Sequence, residues 1–399
     1  MIISPAGSSE ILDSGQRQQL VAKERIVYVA PDWTDSAVKK RAHGFLSLGH
    51  DLICFSFRRD RYYVGSQCGW RNIELGRSEE RRLWKRIATC IQAATTFLRH
   101  GKELRQATVI YARNLDLALL ALCIKTLSRS RAVLVYEVLD VHPLLASEGF
   151  GGKLARWLER MVLQRCRILV VSSPAYLREY FIPRQKFQGH AYVLENKWPG
   201  EGAFAPERRP RTRPLVKEPV WTIGWLGNIR CPRSLELLKQ VADMLPSHAR
   251  IVLRGCTSLL ERRALETALR GRHNLIFGGE YIAPDDLAEI YAQIHFNWCA
   301  DFSDGPNSQW LIPNRVYEGG FFGVPALAVE GSETATLVQK RQLGVVLPDA
   351  EPATLYRLLT KMDLDQYRCL QQRLQQQPIA SFIDEGQLQE LIERATTPR

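Results

Sequence analysis

The chain has 399 residues, of which 45% are hydrophobic and 24% charged, and it carries a net charge of +12. That length exceeds one ordinary hydrophobic core and predicts two domains of a soluble, globular type. Because no apolar run reaches about 18 residues, and because the first residues lack the apolar core of a signal peptide, we expect a cytoplasmic protein without a membrane span.

The positive charge predicts an anionic partner, which in principle is nucleic acid, anionic lipid or a phosphorylated substrate. The bases are dispersed and no nucleic-acid-binding motif is visible, so we expect no nucleic acid. Residues 81–105 and 153–167 each combine an apolar stripe with bases, which favours an anionic membrane surface. Taken singly, each segment fits better a surface helix that packs its stripe on a sheet. The nine cysteines form no Cys-x-x-Cys pair and indicate reduced core residues.

Short apolar strands alternate with helical stretches through the first half of the chain, after a flexible lead-in predicted over residues 1–22. A helix is predicted at 39–48, and strands are predicted at 25–30, 51–57, 108–111, 133–138 and 168–172. Strands that are apolar on both faces belong to a parallel sheet covered by helices. The sequence therefore predicts a first Rossmann-like domain over 23–196.

Composition changes near Asn196, because residues 197–219 contain five prolines and many arginines and are typical of a linker. A second alternation follows, with strands predicted at 222–225, 250–253, 275–277, 296–299, 326–329 and 344–347 and helices at 235–245, 259–269 and 284–294. We predict a second Rossmann-like domain over 220–365 and C-terminal helices over 366–399 that return toward the first domain. The fold class is thus α/β, with two doubly wound halves facing each other across a cleft, where ligands bind.

One carboxylate, Glu318, lies in the segment 307–328 and is followed at once by Gly319 and Gly320. A carboxylate that opens a helix beside a glycine turn can accept hydrogen bonds from a sugar's hydroxyl pair, and the glycines let a ligand approach. By itself, Glu-Gly-Gly more often marks a buried helix start with a tight exit turn.

The surrounding residues resemble the nucleotide-sugar site of retaining group 1 glycosyltransferases with the GT-B fold. The positions that carry the resemblance are Pro313, Asn314, Arg315, Glu318, Gly319, Gly320, Gly323 and Pro325. The resemblance implies that Glu318 holds the donor ribose. Many members have a second glutamate eight residues earlier, where this chain has Trp310. Asp301 or Asp304 is the candidate replacement, or the donor sugar is held differently.

A glycine loop follows the first strand of the second half and contains Gly224, Gly227 and Arg230. Glycines there allow a diphosphate to approach closely, and Arg230 or Arg233 can neutralise it, although strand-to-helix turns often carry glycine anyway. The family has a basic residue six positions after the first glycine, and Arg230 occupies that position. The family's other common base is replaced by Trp225.

Further donor contacts are implied around the next strand ends. Arg254 is an additional phosphate candidate that fits a surface residue equally well. The resemblance places the turn at 277–282 against the nucleotide base and implies that backbone groups of Tyr281 and Ile282 read it. It also implies donor-sugar contacts from Asp304, Asn307 and Ser308, although Asp-Gly alone would indicate only a turn.

Acceptor-side candidates follow strands of the first half. Asp140 or His142 could orient the acceptor hydroxyl, although a lone histidine is more often structural. Bases and an amide that could bind an acceptor phosphate, and that individually fit solvated surface residues, are Arg58, Arg59, Arg61, Arg113 and Asn114.

The resemblance implies a hexosyltransferase-type enzyme that moves a sugar, with retention, from a nucleotide-sugar donor to a saccharide acceptor. We expect that acceptor to be lipid-linked at the inner face of the cytoplasmic membrane, in exopolysaccharide or O-antigen assembly. No metal or other cofactor is expected, because arginines would carry the charge of the leaving diphosphate. Two alternatives remain open: a nucleotide-sugar epimerase on the same fold, and a non-catalytic nucleotide-sugar-binding protein.

Overall fold

The computed structural model describes residues 23–58, 68–77, 93, 95–200, 220–257, 259–303 and 305–398. The predicted lead-in and nearly all of the predicted linker lie outside the described residues. So do Arg59, Arg61, Asp304 and most of the basic segment 81–105.

The first domain is built on seven parallel strands in the order β3-β2-β1-β4-β5-β6-β7. Their bounds are β1 (Arg25–Ala30), β2 (Asp51–Arg58), β3 (Arg71–Arg77), β4 (Val109–Arg113), β5 (Val133–Val138), β6 (Ile168–Val171) and β7 (Ala191–Val193). The helices are α1 (Ser36–Ser47), α2 (Gly101–Gln106), α3 (Leu115–Leu127), α4 (Pro143–Ala146), α5 (Phe150–Leu163), a π-helical segment Tyr176–Phe181 and α6 (Ile182–Gln185). Apolar clusters cover both faces of the sheet, as expected for buried parallel strands.

The second domain has six parallel strands in the order β11-β10-β9-β12-β13-β14. After β8 (Trp198–Pro199), its strands are β9 (Trp221–Asn228), β10 (Ala249–Cys256), β11 (Leu275–Phe277), β12 (Phe296–Trp298), β13 (Ala326–Val329) and β14 (Gly344–Leu347). Its helices are α7 (Pro232–Met244), α8 (Leu259–Leu269), α9 (Leu287–Ala292), α10 (Pro306–Trp310), α11 (Asn314–Phe321), α12 (Glu333–Lys340) and α13 (Pro352–Lys361). The predicted fold of two doubly wound halves is confirmed.

Three local predictions differ from the structure. The helix predicted at 284–294 spans only Leu287–Ala292, because residues 283–286 form a turn. The polar loop at 301–308 ends in α10, which begins at Pro306. Strand β3 was not predicted, because its sequence RNIELGR lies at a sheet edge and has no apolar run.

The chain returns to the first domain only at its last helix. Helix α14 (Leu364–Gln375) packs on the second domain, with Tyr367 in that domain's core. After a short 3₁₀ turn (Ile379–Ser381), β15 (Ile383–Asp384) pairs with β8, and α15 (Gln387–Thr396) inserts Leu388 and Leu391 into the first domain's core. Of the predicted 366–399 segment, α15 is thus the part that packs on the first domain.

Each helix of the described ranges is too short or too polar to cross a bilayer.

Candidate active site

Glu318 lies inside α11 at the boundary between the two domains. Its side chain is buried, and its Oε1 accepts a hydrogen bond of 2.8 Å from Lys40 Nζ of α1. Lys40 is also buried, and its Nζ lies 4.3 Å from the ring centroid of Trp198. Within the described ranges, no residue donates to the other carboxylate oxygen, Oε2. Sequence reasoning missed Lys40, because a lysine on an amphipathic helix is typically solvated.

Gly319 and Gly320 are helical, whereas the sequence predicted a glycine turn. A Cβ at Gly319 would come within 2.5 Å of Asn297 Nδ2, and one at Gly320 would overlap the ring of Phe382. Both glycines therefore allow close packing inside the protein. Their predicted contact with the donor stays a prediction.

Arg315 lies one helical turn before Glu318, on the same face of α11. Its Nη1 donates to the carbonyl of Leu226 in β9 at 3.2 Å, and its Nη2 donates to that of Ala300 after β12 at 3.4 Å. Its Nε is buried. Arg315 is thus fixed at the carboxyl ends of two neighbouring strands, β9 and β12. Asn314, the preceding residue, instead accepts a hydrogen bond from Asn196 near β8.

The two glycines predicted to bind the diphosphate, Gly224 and Gly227, have different surroundings. Gly224 lies within β9, where a Cβ would clash with the side chain of Ile294, so its predicted place in a phosphate turn is wrong. Gly227 has a φ of +104° and pairs in register with Gly255, whose φ is +131°. These backbone conformations favour glycine. Arg315 Nη1 lies 3.9 Å from the Cβ position that Gly227 lacks.

Arg230 follows this loop and lies beside Asp301, with Nη2 3.4 Å from Asp301 Oδ2. Burial alone raises the pKa of Asp301, but hydrogen bonds from Ser303 and the charges of Arg230 and Arg315 outweigh burial and hold that pKa below its ordinary value. Asp301 is therefore an anion that holds Arg230. Ser308 also reaches it, with Oγ 3.4 Å from Oδ1.

Asn307 joins the two domains across the cleft. Its Oδ1 accepts from the backbone N–H of Val141 at 2.9 Å and from Tyr176 Oη at 3.1 Å. Its Nδ2 donates to Asp140 Oδ1 at 3.3 Å. Asp140 is therefore at the domain boundary, as its position after β5 predicted. His142 is exposed, and its Nδ1 accepts the N–H of Leu144 as the N-cap of α4.

Trp310, at the position of the family's second glutamate, packs against the core of the first domain. Its ring centroid lies 6.4 Å from those of Tyr176 and Tyr180. The side chain is thus an apolar anchor between the domains. This packing accounts for an aromatic residue where the family has a carboxylate.

The turn predicted to read the base is partly occupied by the protein itself. The N–H of Ile282 donates to Asp286 Oδ2 at 2.7 Å, so this backbone donor is already used. Tyr281 packs on the core of the second domain. Arg254 Nη2 donates to the carbonyl of Glu280 at 3.0 Å, and its buried Nε has no acceptor within the described ranges.

Arg113 is buried and does not line an acceptor site. Its Nε donates to Glu137 Oε2 at 2.6 Å, and Arg41 donates to Oε1 of the same carboxylate at 2.8 Å. Burial raises the pKa of Glu137, but the two guanidinium groups outweigh burial and lower it to about 2. The prediction of Arg113 as a phosphate ligand is therefore wrong, because the adjacent strand neutralises it.

The other described acceptor-side candidates are Arg58 and Asn114. Arg58, at the end of β2, is 3.8 Å from Glu74 Oε1 of the edge strand. Asn114 has a φ of +70° and uses its N–H to bond the carbonyl of Glu137.

A cavity of about 800 Å³ lies between α1 and the segments 195–200 and 383–389. Its wall includes Lys40, Arg41, Asn196 and Asp384. Of the Lys40–Glu318 pair, only Lys40 lines this cavity, and Gly227, Arg230 and Arg315 do not line it. The cavity is therefore separate from the residues predicted to hold the donor. Within the described ranges, no group of three or more His, Cys, Asp or Glu side chains is arranged to hold a metal ion.

Comparisons with known proteins give one relative and several fold neighbours, while no protein-family model matches the chain. Over 339 residues the chain is 35% identical to the succinoglycan biosynthesis protein ExoL of Rhizobium meliloti (strain 1021), which covers 84% of each protein. Sucrose-phosphate synthase from Thermosynechococcus elongatus is similar with a TM-score of 0.68 at 14% identity, covering 92% of this chain and 98% of that one.

Two further solved structures share the fold. Anabaena HepE, solved with UDP and glucose, has a TM-score of 0.67 at 12% identity and covers 94% of this chain and 100% of its own. WaaG, involved in lipopolysaccharide biosynthesis, has a TM-score of 0.64 at 15% identity with the same coverages. At such low identity these likenesses establish the two-domain architecture.

Proposed function

Since this chain belongs to the family of ExoL, the group 1 glycosyltransferases of exopolysaccharide biosynthesis, we propose that it transfers a sugar from a nucleotide-sugar donor, with retention, to a lipid-linked saccharide acceptor. The observation that carries the proposal is the grouping of charged side chains at this place. Glu318 and Arg315 lie on one face of α11, and the charges of Arg315 and Arg230 both help to lower the pKa of Asp301. A ribose hydroxyl and a phosphate oxygen are the complementary groups.

The donor diphosphate is proposed to lie over Gly227, between Arg230 and Arg315. Anabaena HepE has been solved in complex with UDP-glucose, and a donor of this class fits a site with two guanidinium groups beside a glycine. As the glycosidic bond breaks, the leaving diphosphate gains negative charge. Guanidinium groups already fixed by Asp301 and by backbone carbonyls stabilise that charge without reorganising. We propose that the reaction needs no bound metal ion.

Asp140 is proposed to orient the acceptor hydroxyl. Its carboxylate belongs to the first domain and contacts Asn307 of the second, so it lies where an acceptor held by one domain meets a donor held by the other. His142 is the weaker candidate, because its Nδ1 already accepts a helix N–H. Within the part of the chain that the structure describes, a carboxylate pair of the glycosidase kind is not evident, and we do not expect a covalent glycosyl intermediate.

A lipid-linked acceptor requires the enzyme to work at a membrane surface. We propose peripheral attachment at the inner face of the cytoplasmic membrane, favoured by the net charge of +12.

Incubation with a panel of radiolabelled nucleotide sugars, with and without membrane lipid extract, tests the function. Label that moves into the lipid fraction supports the proposed transfer. An isomerised donor without transfer would instead indicate an epimerase. Binding without turnover in either condition would indicate a non-catalytic binding protein.

A further inference from the structure

Helix α5 presents its apolar stripe to solvent. Phe150, Leu154 and Trp157 are 84%, 46% and 53% exposed, and their spacing of four and three residues places them on one face. The side that packs on the domain carries the buried side chains of Arg156 and Glu159 together with Val162 and Leu163. A surface helix of a globular domain usually keeps its large apolar residues on the buried side and its charges on the exposed side. Of the apolar stripe predicted over residues 153–167, Leu154 and Trp157 thus face solvent, whereas Leu158 and Met161 are half-buried.

Buried hydrogen bonds fix this orientation. Arg156 Nη1 donates to the carbonyls of Leu145 at 2.9 Å and Ser147 at 2.5 Å. Glu159 accepts from Tyr136 Oη at 2.9 Å, and Tyr180 and Gln185 also donate to it. Turning α5 to bury Trp157 would remove these partners from both charged groups, which is costly in a protein interior. The exposed stripe is thus a property of the fold.

Neighbouring elements extend the stripe into a surface that we name the α5 patch. Leu144 of α4 is 41% exposed and its Cδ1 lies 3.4 Å from the Cβ position of Gly151. Ile182 of α6 is 57% exposed, and α6 is joined to α5 by a hydrogen bond from Arg160 to the carbonyl of Arg184. The members of the patch are Leu144, Phe150, Leu154, Trp157 and Ile182. Large apolar residues concentrated on one face mark an interaction surface.

Bases surround the α5 patch. The exposed ones on α5, α6 and the residues directly after them are Lys153, Arg160, Arg165, Arg184 and Lys186. Exposed acids next to the same elements are Glu148, which pairs with Arg184 at 2.9 Å, and Glu179, which pairs with Arg178. An apolar centre that includes tryptophan, with a basic rim, matches the interface of a bilayer with anionic headgroups.

The patch is also placed next to the cleft. Helix α4 begins at Pro143, two residues after Val141, whose N–H is bonded to Asn307 of the second domain. We propose that the α5 patch docks the protein on an anionic bilayer and holds the acceptor side of the cleft at the headgroup level. The docking depends on the patch alone, while its use in presenting a lipid-linked acceptor rests on the proposed function.

Vesicle co-sedimentation of the full chain tests the docking. We expect the protein to bind phosphatidylcholine vesicles that contain phosphatidylglycerol more tightly than phosphatidylcholine alone, and to be released as salt rises. Phe150→Ser with Trp157→Ser should weaken binding by about tenfold or more, since two exposed aromatic rings no longer enter the interface. Leu127→Ser, at a residue 63% exposed on α3, is the matched control and should bind as the parent does.

Two outcomes would overturn the docking proposal. One is vesicle binding by the double variant that equals the parent or the control. The other is a parent protein that ignores vesicles and forms a dimer in analytical ultracentrifugation that the double variant disperses, which would make the patch an interface between copies.

Transfer assays keep this proposal separate from the proposed function. On a short water-soluble saccharide acceptor, the double variant should keep the parent's rate, which also shows that it is folded. On the lipid-linked acceptor its rate should fall. If the parent transfers to neither acceptor, the proposed function fails while the vesicle result still decides the docking.

Discussion

Replacing Glu318 by glutamine tests the buried contact between the domains. The Lys40–Glu318 pair has side chains only 3% and 6% exposed, with 2.8 Å between Nζ and Oε1. Removing one partner of a buried pair costs about 3–5 kcal/mol, because the other charge stays buried without compensation. The glutamine carbonyl still accepts a hydrogen bond, so we expect about 3 kcal/mol. At about 2–4 °C per kcal/mol for domains of this size, the unfolding midpoint should fall by roughly 6–12 °C.

A double variant separates the structural role of Glu318 from donor binding. Lys40→Met combined with Glu318→Gln leaves no buried charge and keeps an apolar side chain beside Trp198, so most of the lost stability should return. If the carboxylate also holds the donor ribose, donor affinity should remain low. Loss of a charged hydrogen bond costs about 1.5–3 kcal/mol, a decrease in affinity of roughly 10- to 150-fold. Circular dichroism gives the midpoints, and titration calorimetry with the donor gives the affinities.

Each part of this reasoning has its own refutation. An unchanged midpoint for Glu318→Gln, with an unchanged radius of gyration by small-angle scattering, would refute the ion pair as a stabilising contact. An unchanged midpoint with an increased radius would show that the domains open and hydrate Lys40 instead. A stable double variant with the parent's donor affinity and rate would remove Glu318 from the donor site.

Three more perturbations test the rest of the site and the core. Arg230→Ala should lower turnover by about two orders of magnitude, and Arg230→Lys should restore only part of it. If Arg230→Ala leaves turnover unchanged and Arg315→Ala abolishes it, the guanidinium that stabilises the leaving diphosphate belongs to α11. Asn307→Asp places a second carboxylate beside Asp140 and should lower kcat more than Asn307→Ala in steady-state assays. The fold lowers the pKa of Glu137 from an ordinary 4.5 to about 2, which adds about 3 kcal/mol to the free energy of unfolding. This contribution is present above pH 4.5 and is lost as the pH falls toward 2. Glu137→Gln should therefore flatten the acid limb of the stability curve measured by urea unfolding.

The sheets could be predicted because parallel strands buried on both faces leave near-continuous apolar runs. Elements without that signal were missed. Strand β3 is half exposed at an edge, and β8 and β15 have two residues each. The helix at 284–294 was predicted too long, since a proline and two acids are as compatible with the observed turn as with a first helical turn.

The site could be predicted only as far as a local pattern carries information. The resemblance pointed to Glu318, Arg315 and Asn307. The structure places Glu318 and Asn307 in contact with the first domain, and Arg315 one helical turn before Glu318. Lys40 gave no signal, because its partner lies 278 residues away. Arg113 was misassigned because its neighbour in the sheet register, Glu137, becomes visible only when β4 and β5 are paired.

The chain passes between the two domains twice, and the two passing segments, β8 and β15, pair with each other. This pairing has a consequence for protein engineering. Residues Trp198–Pro199 and Ile383–Asp384 form one short parallel ladder, and the residues after it complete the core of the domain that begins the chain. A chimera that takes donor specificity from a relative should therefore exchange an internal cassette with both junctions at this ladder. Replacing everything after the first crossing would give the recipient domain a foreign terminal helix and a mismatched core. Modular exchange in this architecture thus follows spatial neighbours rather than the two halves of the sequence.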